Sequence, residues 1–268
     1  FAEVTVCRIL KGTMEAREKG WLPSSFNAGG AVSLEVYART QVELALHQEP
    51  HRTRGVEAMQ TFVDLGVAVL KDEGGGRFTL IEQGERAFNA SLALSASLEL
   101  DAHASRFLIV PLCFGLLGST RPRRFRLATY TSQPISAQVV PLSAKLMATA
   151  TILSVVAYGE CQTLLSHPVL GDCLKIYTLE SSSGVVLVAE NVFGAPIRVE
   201  LGAESCVGVV SSRGTLASDD VLPPNTRQVL AALTPEPRAK KINLAYQFGA
   251  SVVDPRAEPN WAEMAHIP

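Results

Sequence analysis

The chain has 268 residues, 47% of them hydrophobic and 19% charged, and its 24 basic and 26 acidic side chains leave a formal net charge of −2. That apolar content suffices for packed cores and excludes general disorder. The even charge balance argues against a dedicated nucleic-acid binder, which carries a basic face or a high pI, and the 6% aromatic share leaves little for stacking single strands.

From the N-terminus, residues 1–10 alternate, with Val4, Val6 and Ile9 able to share a buried surface, and read as a short strand. Residues 14–19 are charged and read as one or two helical turns before Gly20-Trp-Leu-Pro-Ser-Ser25 breaks the pattern. Strand patterns then recur at 32–38 and 41–47, where Val42, Leu44 and Leu46 share a face, and at 63–71. Gly74-Gly-Gly76 reads as a hairpin connection, because glycine accepts positive φ. Further strands fall at 77–82, 91–100, 106–114 and 125–130, with Pro111 marking a bulge or a strand end. Short strands separated by polar turns predict an antiparallel sandwich.

Two prolines bracket residues 133–141, which read as a linker or a crossover. Leu142, Leu146, Ala150, Leu153 and Ala157 then recur at helical steps, with Ser143 placed to cap, although Thr149, Thr151, Ile152, Val155 and Val156 are β-branched. The spacing predicts a helix over 142–158. Strands resume at 174–179, 185–191, 197–201, 207–210, 228–233 and 240–248, and the proline-bearing tail from Asp254 reads as irregular. The predicted fold is mainly β: two tandem antiparallel β-sandwich-like domains, the second with one packed helix.

Candidate chemistry is sparse. The five cysteines, Cys7, Cys113, Cys161, Cys173 and Cys206, include no Cys-x-x-Cys pair, so a zinc ribbon is excluded. Cys7, Cys113 and Cys206 lie in apolar runs and read as buried reduced thiols in an intracellular chain. Cys161 and His167 form the nearest nucleophile–base pair in sequence, but no glycine-rich helix start adjoins them to lower a thiol pKa. His47 and His51 have the spacing of a helical metal pair, which Pro50 interrupts. Asp219, Asp220 and Glu204 offer calcium-type oxygens without the spacing of a dedicated loop; a turn before Pro223-Pro224 accounts for the two aspartates. Ser211-Ser-Arg-Gly214 lacks the framing of a nucleophile elbow.

The dense basic run is Arg121-Pro-Arg-Arg-Phe-Arg126. Arg121, Arg123, Arg124 and Arg126 could meet acidic lipid headgroups or an acidic partner. They could equally form a solvated edge strand that discourages strand addition. The longest apolar stretches, 107–117 and 148–158, are about half the roughly 20 residues of a membrane-spanning helix. No signal peptide is visible, and a start at Phe1 reads as a piece of a longer protein.

One block carries a family likeness: Val185-Val-Leu-Val-Ala-Glu-Asn191, Val209-Val-Ser-Ser-Arg-Gly-Thr-Leu216 and Asp219-Asp-Val-Leu-Pro-Pro-Asn-Thr-Arg-Gln-Val-Leu230. It resembles the C-terminal homology domain of the small-optic-lobes (SOL) subfamily of calpain cysteine proteases, with Thr226 departing from the bulkier residue of that pattern. Asn191, Arg213, Gly214, Pro223, Pro224 and Arg227 are the matching positions, with structural roles implied. Phe1-Ala-Glu-Val-Thr-Val-Cys-Arg-Ile9 resembles the closing strand of a calpain protease core. Gly20-Trp-Leu-Pro-Ser-Ser25 and residues 40–49 resemble the opening of the β-sandwich that follows that core.

The resemblance implies four segments: 1–20 ending a preceding core and linker, 21–140 a calpain-type β-sandwich, 141–250 a SOL-homology domain, and 251–268 an irregular tail. It places the catalytic Cys, His and Asn upstream of Phe1. No catalytic residue, no metal ligand and no cofactor is then expected here, calcium being the one weak candidate. The expected role is a non-catalytic regulatory and protein-interaction region in the cytoplasm. The alternatives are a component of a large, for example cytoskeletal, assembly built on a catalytically dead calpain-like fold, and an intact intracellular enzyme with an unrecognised site. Expected partners are proteins, including an upstream protease core, and acidic lipid headgroups, with no nucleic acid and no transmembrane segment.

Overall fold

The computed structural model describes residues 6–15, 25–27, 30–48, 65–87, 91–98, 105–113, 123–169, 171–181, 184–236, 239 and 241–253. Its strands form four sheets and, among the described residues, it has one α-helix. Contacts divide the chain into two units: Phe1–Glu18 with Leu22–Ser154 and Ser181–Ser183, and Lys19–Trp21 with Val155–Glu180 and Gly184–Pro268.

The first unit holds two five-stranded sheets. One has the order β2 (Ser25–Asn27), β1 (Val6–Glu15), β9 (Arg123–Thr131), β4 (Thr40–Gln48), β7 (Ser91–Leu98). The other has the order β10 (Ile135–Val140), β3 (Ala31–Val36), β8 (Ser105–Cys113), β5 (Leu65–Asp72), β6 (Phe78–Ala87). Period-two burial explains the architecture. Val42, Leu44 and Leu46 of β4 point one way and are buried, while Gln41, Glu43 and His47 point the other way and are exposed. The inward residues of β4, β7 and β9 join Leu34, Val69, Phe107 and Ile109 of the other sheet in one apolar core, the arrangement of a sandwich.

Several details differ from the sequence reading. Residues 6–15 do not close a preceding domain: β1 pairs antiparallel with β9 from Val6↔Thr131 to Met14↔Arg123, a ladder integral to this unit. Met14 and Glu15 thus lie in strand rather than in helical turns, Glu15 opposite Ser25 of β2. The segment read as a linker is β10, an edge strand paired with β3. Pro134 and Pro141 only bracket it, where a missing donor does no harm. Pro111 lies within β8 beyond its last β3 pair, Val32↔Ile109, and opposes Val67 of β5. At the β5–β6 hairpin, Gly74, Gly75 and Gly76 all have positive φ, 79°, 63° and 76°. Asp72 Oδ1 accepts from Gly74 N at 2.9 Å and secures the turn.

The helix α1 (Ala144–Tyr158) starts where the cap was expected: Leu146 N donates to Ser143 Oγ at 3.1 Å and Met147 N to Ser143 O at 3.0 Å. The division between the units runs within this helix, between Ser154 and Val155. No acidic residue lies in its first turn and no basic residue in its last, so the cap is its main local start signal. Ser143→Ala is expected to lower thermal stability by about 1 kcal/mol, measured by circular dichroism, and Ser143→Asp to retain it.

The second unit packs a five-stranded sheet and a three-stranded sheet. The first has the order β11 (Glu160–His167), β12 (Gly171–Ser181), β13 (Gly184–Asn191), β17 (Thr226–Pro235), β15 (Val209–Ser211). The second has the order β16 (Ala217–Leu222), β14 (Ile197–Gly202), β18 (Gln247–Val252). Val185, Leu187 and Leu230 of one sheet meet Ile197, Val199 and Leu222 of the other in a shared core. Two strands were not expected. β11 follows the helix directly, and β16 carries Asp219 and Asp220, which therefore lie on a strand and not in a turn. Residues 241–246, within the span expected as strand, hold one isolated bridge, Val207↔Asn243, before β18 begins. No helix among the described residues is long and apolar enough to cross a membrane.

Candidate functional site

The motif residues of the second unit converge on the turns that join its two sheets. Asn191 ends β13 and is fully buried. Its Nδ2 donates to Ala195 O at 2.9 Å, Leu222 O at 3.0 Å and Pro223 O at 3.0 Å, and its Oδ1 accepts from Phe193 N at 2.9 Å. One amide thus ties the β13–β14 turn to the β16–β17 turn. Pro223 and Pro224 open the latter turn, Asn225 takes φ 54°, and Thr226 Oγ1 donates to Pro223 O at 2.6 Å. A hydroxyl at 226 therefore closes the turn in place of the bulkier residue of the family pattern.

Arg213 and Asp220 form a half-buried pair: Arg213 Nη2 donates to Asp220 Oδ1 at 2.9 Å, with side chains 18% and 15% exposed. Gln228 Nε2 of β17 donates to the same oxygen at 3.1 Å. The pair thereby links both sheets. Gly214 follows with φ 75°, left-handed backbone that glycine adopts freely, and its N–H reaches Ser211 O at 2.9 Å. Ser212 is buried and exchanges bonds with Ala232, through its backbone N to Ala232 O at 2.8 Å and its Oγ from Ala232 N at 3.0 Å.

Arg227 pairs with Glu190 across the β13–β17 ladder, Nε to Oε1 at 2.7 Å. The other oxygen of Glu190 accepts from Tyr177 Oη at 2.6 Å. Burial, then the hydrogen bond and charge of Glu190, hold the Tyr177 phenol well above its ordinary pKa. Tyr246, whose Oη donates to Glu180 Oε1 at 3.1 Å, is pushed up to about 12, chiefly by burial. Both are therefore neutral donors at physiological pH.

Asp219 and Asp220 point to opposite faces of β16, as adjacent strand residues must. Asp220 serves Arg213, while Asp219 is held by Arg198, whose Nε donates to Oδ1 at 2.7 Å and whose Nη2 reaches Oδ2. These hydrogen bonds outweigh partial desolvation and depress the Asp219 carboxyl below its ordinary value. A depressed folded-state pKa adds stability that is present above the unfolded value, near 4, and lost as pH falls through the folded value. Because both side chains are about half exposed and solvent screens the pair, the contribution is small. Arg198→Ala should lower the unfolding midpoint slightly at pH 7, and the difference should shrink as pH falls through the Asp219 titration.

The thiol and imidazole singled out by sequence are not brought together. Cys161 opposes Tyr177 and His167 opposes Gly171 on the same strand. Six residues of strand separate them by roughly 20 Å, far beyond hydrogen-bond reach. Among the described residues no group of His, Cys, Asp and Glu has the geometry of a metal site. His51 lies outside the described residues.

Of the arginine run, Arg121 lies outside the described residues, and Arg123, Arg124 and Arg126 are on β9. β9 is the central strand of its sheet, between β1 and β4, so the run is not an edge device. Arg126 is exposed and stands opposite Lys11 on one side and His47 on the other.

With this geometry in place, comparison with known proteins adds one decisive finding. Residues 154–256 match the family described as Calpain-D-like, C-terminal domain. Residues 154–256 are thus similar to the C-terminal domain of calpain-D-like proteins. The matched segment contains Asn191, Arg213, Gly214, Pro223, Pro224 and Arg227, and Asn191, Arg213, Gly214, Pro223 and Arg227 make internal hydrogen bonds. The solved structures that match include a GH2 beta-galacturonidase from Eisenbergiella tayi bound to glycerol (9% identity, 94% of this chain, 42% of that chain, TM-score 0.19). The same organism's GH2 beta-galacturonidase bound to galacturonate also matches (10% identity, 90% of this chain, 39% of that chain, TM-score 0.18). The chain spans about two fifths of those enzymes' length, and likenesses this low carry no argument.

Sequence reasoning missed Tyr177, Glu190 and Gln228, and read Asp220 as a turn residue or a weak calcium ligand rather than as the partner of Arg213. Their signal is tertiary, since Arg227 and Glu190 are 37 residues apart and only strand pairing unites them.

Proposed function

We propose that the chain is a non-catalytic, regulatory protein-interaction region of a calpain-like protein, cytoplasmic and of the SOL type. The observation that carries this reading is the calpain-D-like match over 154–256. It is supported by the motif residues, whose polar groups are spent on internal bonds that fix turns rather than presented to a substrate. Peptide hydrolysis by a cysteine protease needs a thiol and an imidazole within reach, and the roughly 20 Å between Cys161 and His167 along one strand disfavours that pair.

A region of this kind acts through its outer faces. Its partners are proteins, a calpain-type protease core of the parent polypeptide among them. The test is binding in trans: the chain is titrated calorimetrically with the remainder of its parent polypeptide, expressed separately. Saturable binding in the micromolar range or tighter, that is about −8 kcal/mol or better, supports the reading. No heat of binding, together with peptidase activity of the chain that Cys161→Ser abolishes, would overturn it. Flotation with anionic vesicles, with and without calcium, tests the separate expectation that Arg126 and its neighbours meet acidic headgroups.

A further inference from the structure

The outward face of the sheet β2-β1-β9-β4-β7 is ordered in rows set by strand register. One row is Lys11–Arg126–His47–Ser91. The next row on the same face is Ile9–Ala128–Ala45–Ala93, and the one after it is Cys7–Tyr130–Glu43–Ser95. Arg126, His47 and Glu43 are exposed, Tyr130 and Ala45 are half-buried, Ala93 is exposed, and Ala128 is 6% exposed. The middle row is therefore low where its three alanines lie, between a row that carries Lys11 and Arg126 and a row that carries Glu43.

Like charges on directly opposed strand positions destabilise a sheet. Arg126 nevertheless stands directly opposite Lys11, and it makes no ion pair with an acidic side chain among the described residues. A row of this kind is favourable when an anionic group lies over it.

The geometry points to an extended acidic peptide segment of a partner protein lying across the strands in this alanine-floored trough. This deepens the interaction reading above and rests on it. Residues two apart on a strand are about 7 Å apart, so the walls stand about 14 Å from each other, wide enough for one extended chain. The alanine floor crosses three strands, about 10 Å, the length of roughly three extended residues. Carboxylates of the segment would face Arg126 and His47, and a donor side chain would face Glu43 and the Tyr130 hydroxyl. Glu43 also decides between partners. An anionic lipid surface would press against it, whereas a peptide can place a donor there.

The probe is a fluorescently labelled peptide of alternating Glu and Ser, titrated into the whole chain by polarisation. A Lys–Ser peptide and phosphatidylserine-containing vesicles serve as comparisons. Expected results are binding of the Glu–Ser peptide alone, weakening on the order of tenfold for Arg126→Glu, and unchanged or several-fold tighter binding for Glu43→Lys. Both substitutions lie at exposed positions, and an unchanged melting curve checks the fold. Binding of the vesicles but not of the peptide would overturn the proposal. So would peptide affinity indifferent to both charge reversals. If Arg126→Glu leaves binding to the parent polypeptide intact while the Glu–Ser peptide fails to bind, the trough is refuted and the interaction reading stands.

Discussion

Asn191→Ala is expected to destabilise the second unit by about 3–5 kcal/mol, enough to unfold a marginal domain at physiological temperature. The side chain is fully buried and serves three carbonyls and one N–H. Truncation leaves all four backbone groups without this partner, and each buried unsatisfied group costs about 1–3 kcal/mol, less what water entering the space recovers. The affected turns join β13 to β14 and β16 to β17, so the loss falls on the junction of both sheets. Asn191→Asp should be nearly as damaging at neutral pH, because a carboxylate would face three carbonyl oxygens. The sign then follows: a folded-state pKa raised above the unfolded value favours the protonated form, so the Asp variant should regain stability as pH falls. Urea unfolding followed by circular dichroism at two pH values checks both statements.

Asp220→Ala is expected to cost about 3 kcal/mol, the lower end for breaking a buried ion pair, since the pair keeps some solvent contact. Removing the carboxylate strands the Arg213 guanidinium and the Gln228 amide together. The pair is itself incompletely satisfied: Arg213 Nε and Asp220 Oδ2 are buried without a hydrogen-bond partner among the described residues, as is Ser218 Oγ. A half-satisfied pair is a poor source of net stability. The double substitution Arg213→Met with Asp220→Leu should therefore fall within about 1 kcal/mol of the unsubstituted chain, far less than the sum of the singles. A double-mutant cycle in urea reads the coupling directly. Equal and additive losses would show that the two side chains do not act together.

The sandwich architecture was legible wherever burial obeyed period two. β4 is the clearest case, with Val42, Leu44 and Leu46 inward and polar residues outward. The capped helix was legible because Ser143 is a local signal read within one turn. β16 was hidden because its inward face carries Ser218 and Asp220, polar residues whose place inside depends on Arg213. β11 was hidden because register shifts between Thr163 and Ser166 break its alternation and most of it is exposed. The place of β1 was misread because its partner, β9, lies over a hundred residues away, a pairing no local pattern encodes. The same distance made the arginine run look like an edge. Asn191, Arg213 and Arg227 were found through family likeness, but what they do was readable only once strand pairing brought Leu222, Asp220 and Glu190 to them.

The interaction reading is tested most directly by cross-linking mass spectrometry on the native protein from its source, with an amine-reactive reagent. Lys145, Lys175 and Lys241 report on this chain, two of them exposed and one half-buried. The reading predicts cross-links from these lysines to a calpain-type protease core or to a separate protein, lost when Arg126 or the second unit's fold is disrupted. Cross-links confined to residues 1–268, in a preparation that cleaves a peptide substrate by itself, would contradict it.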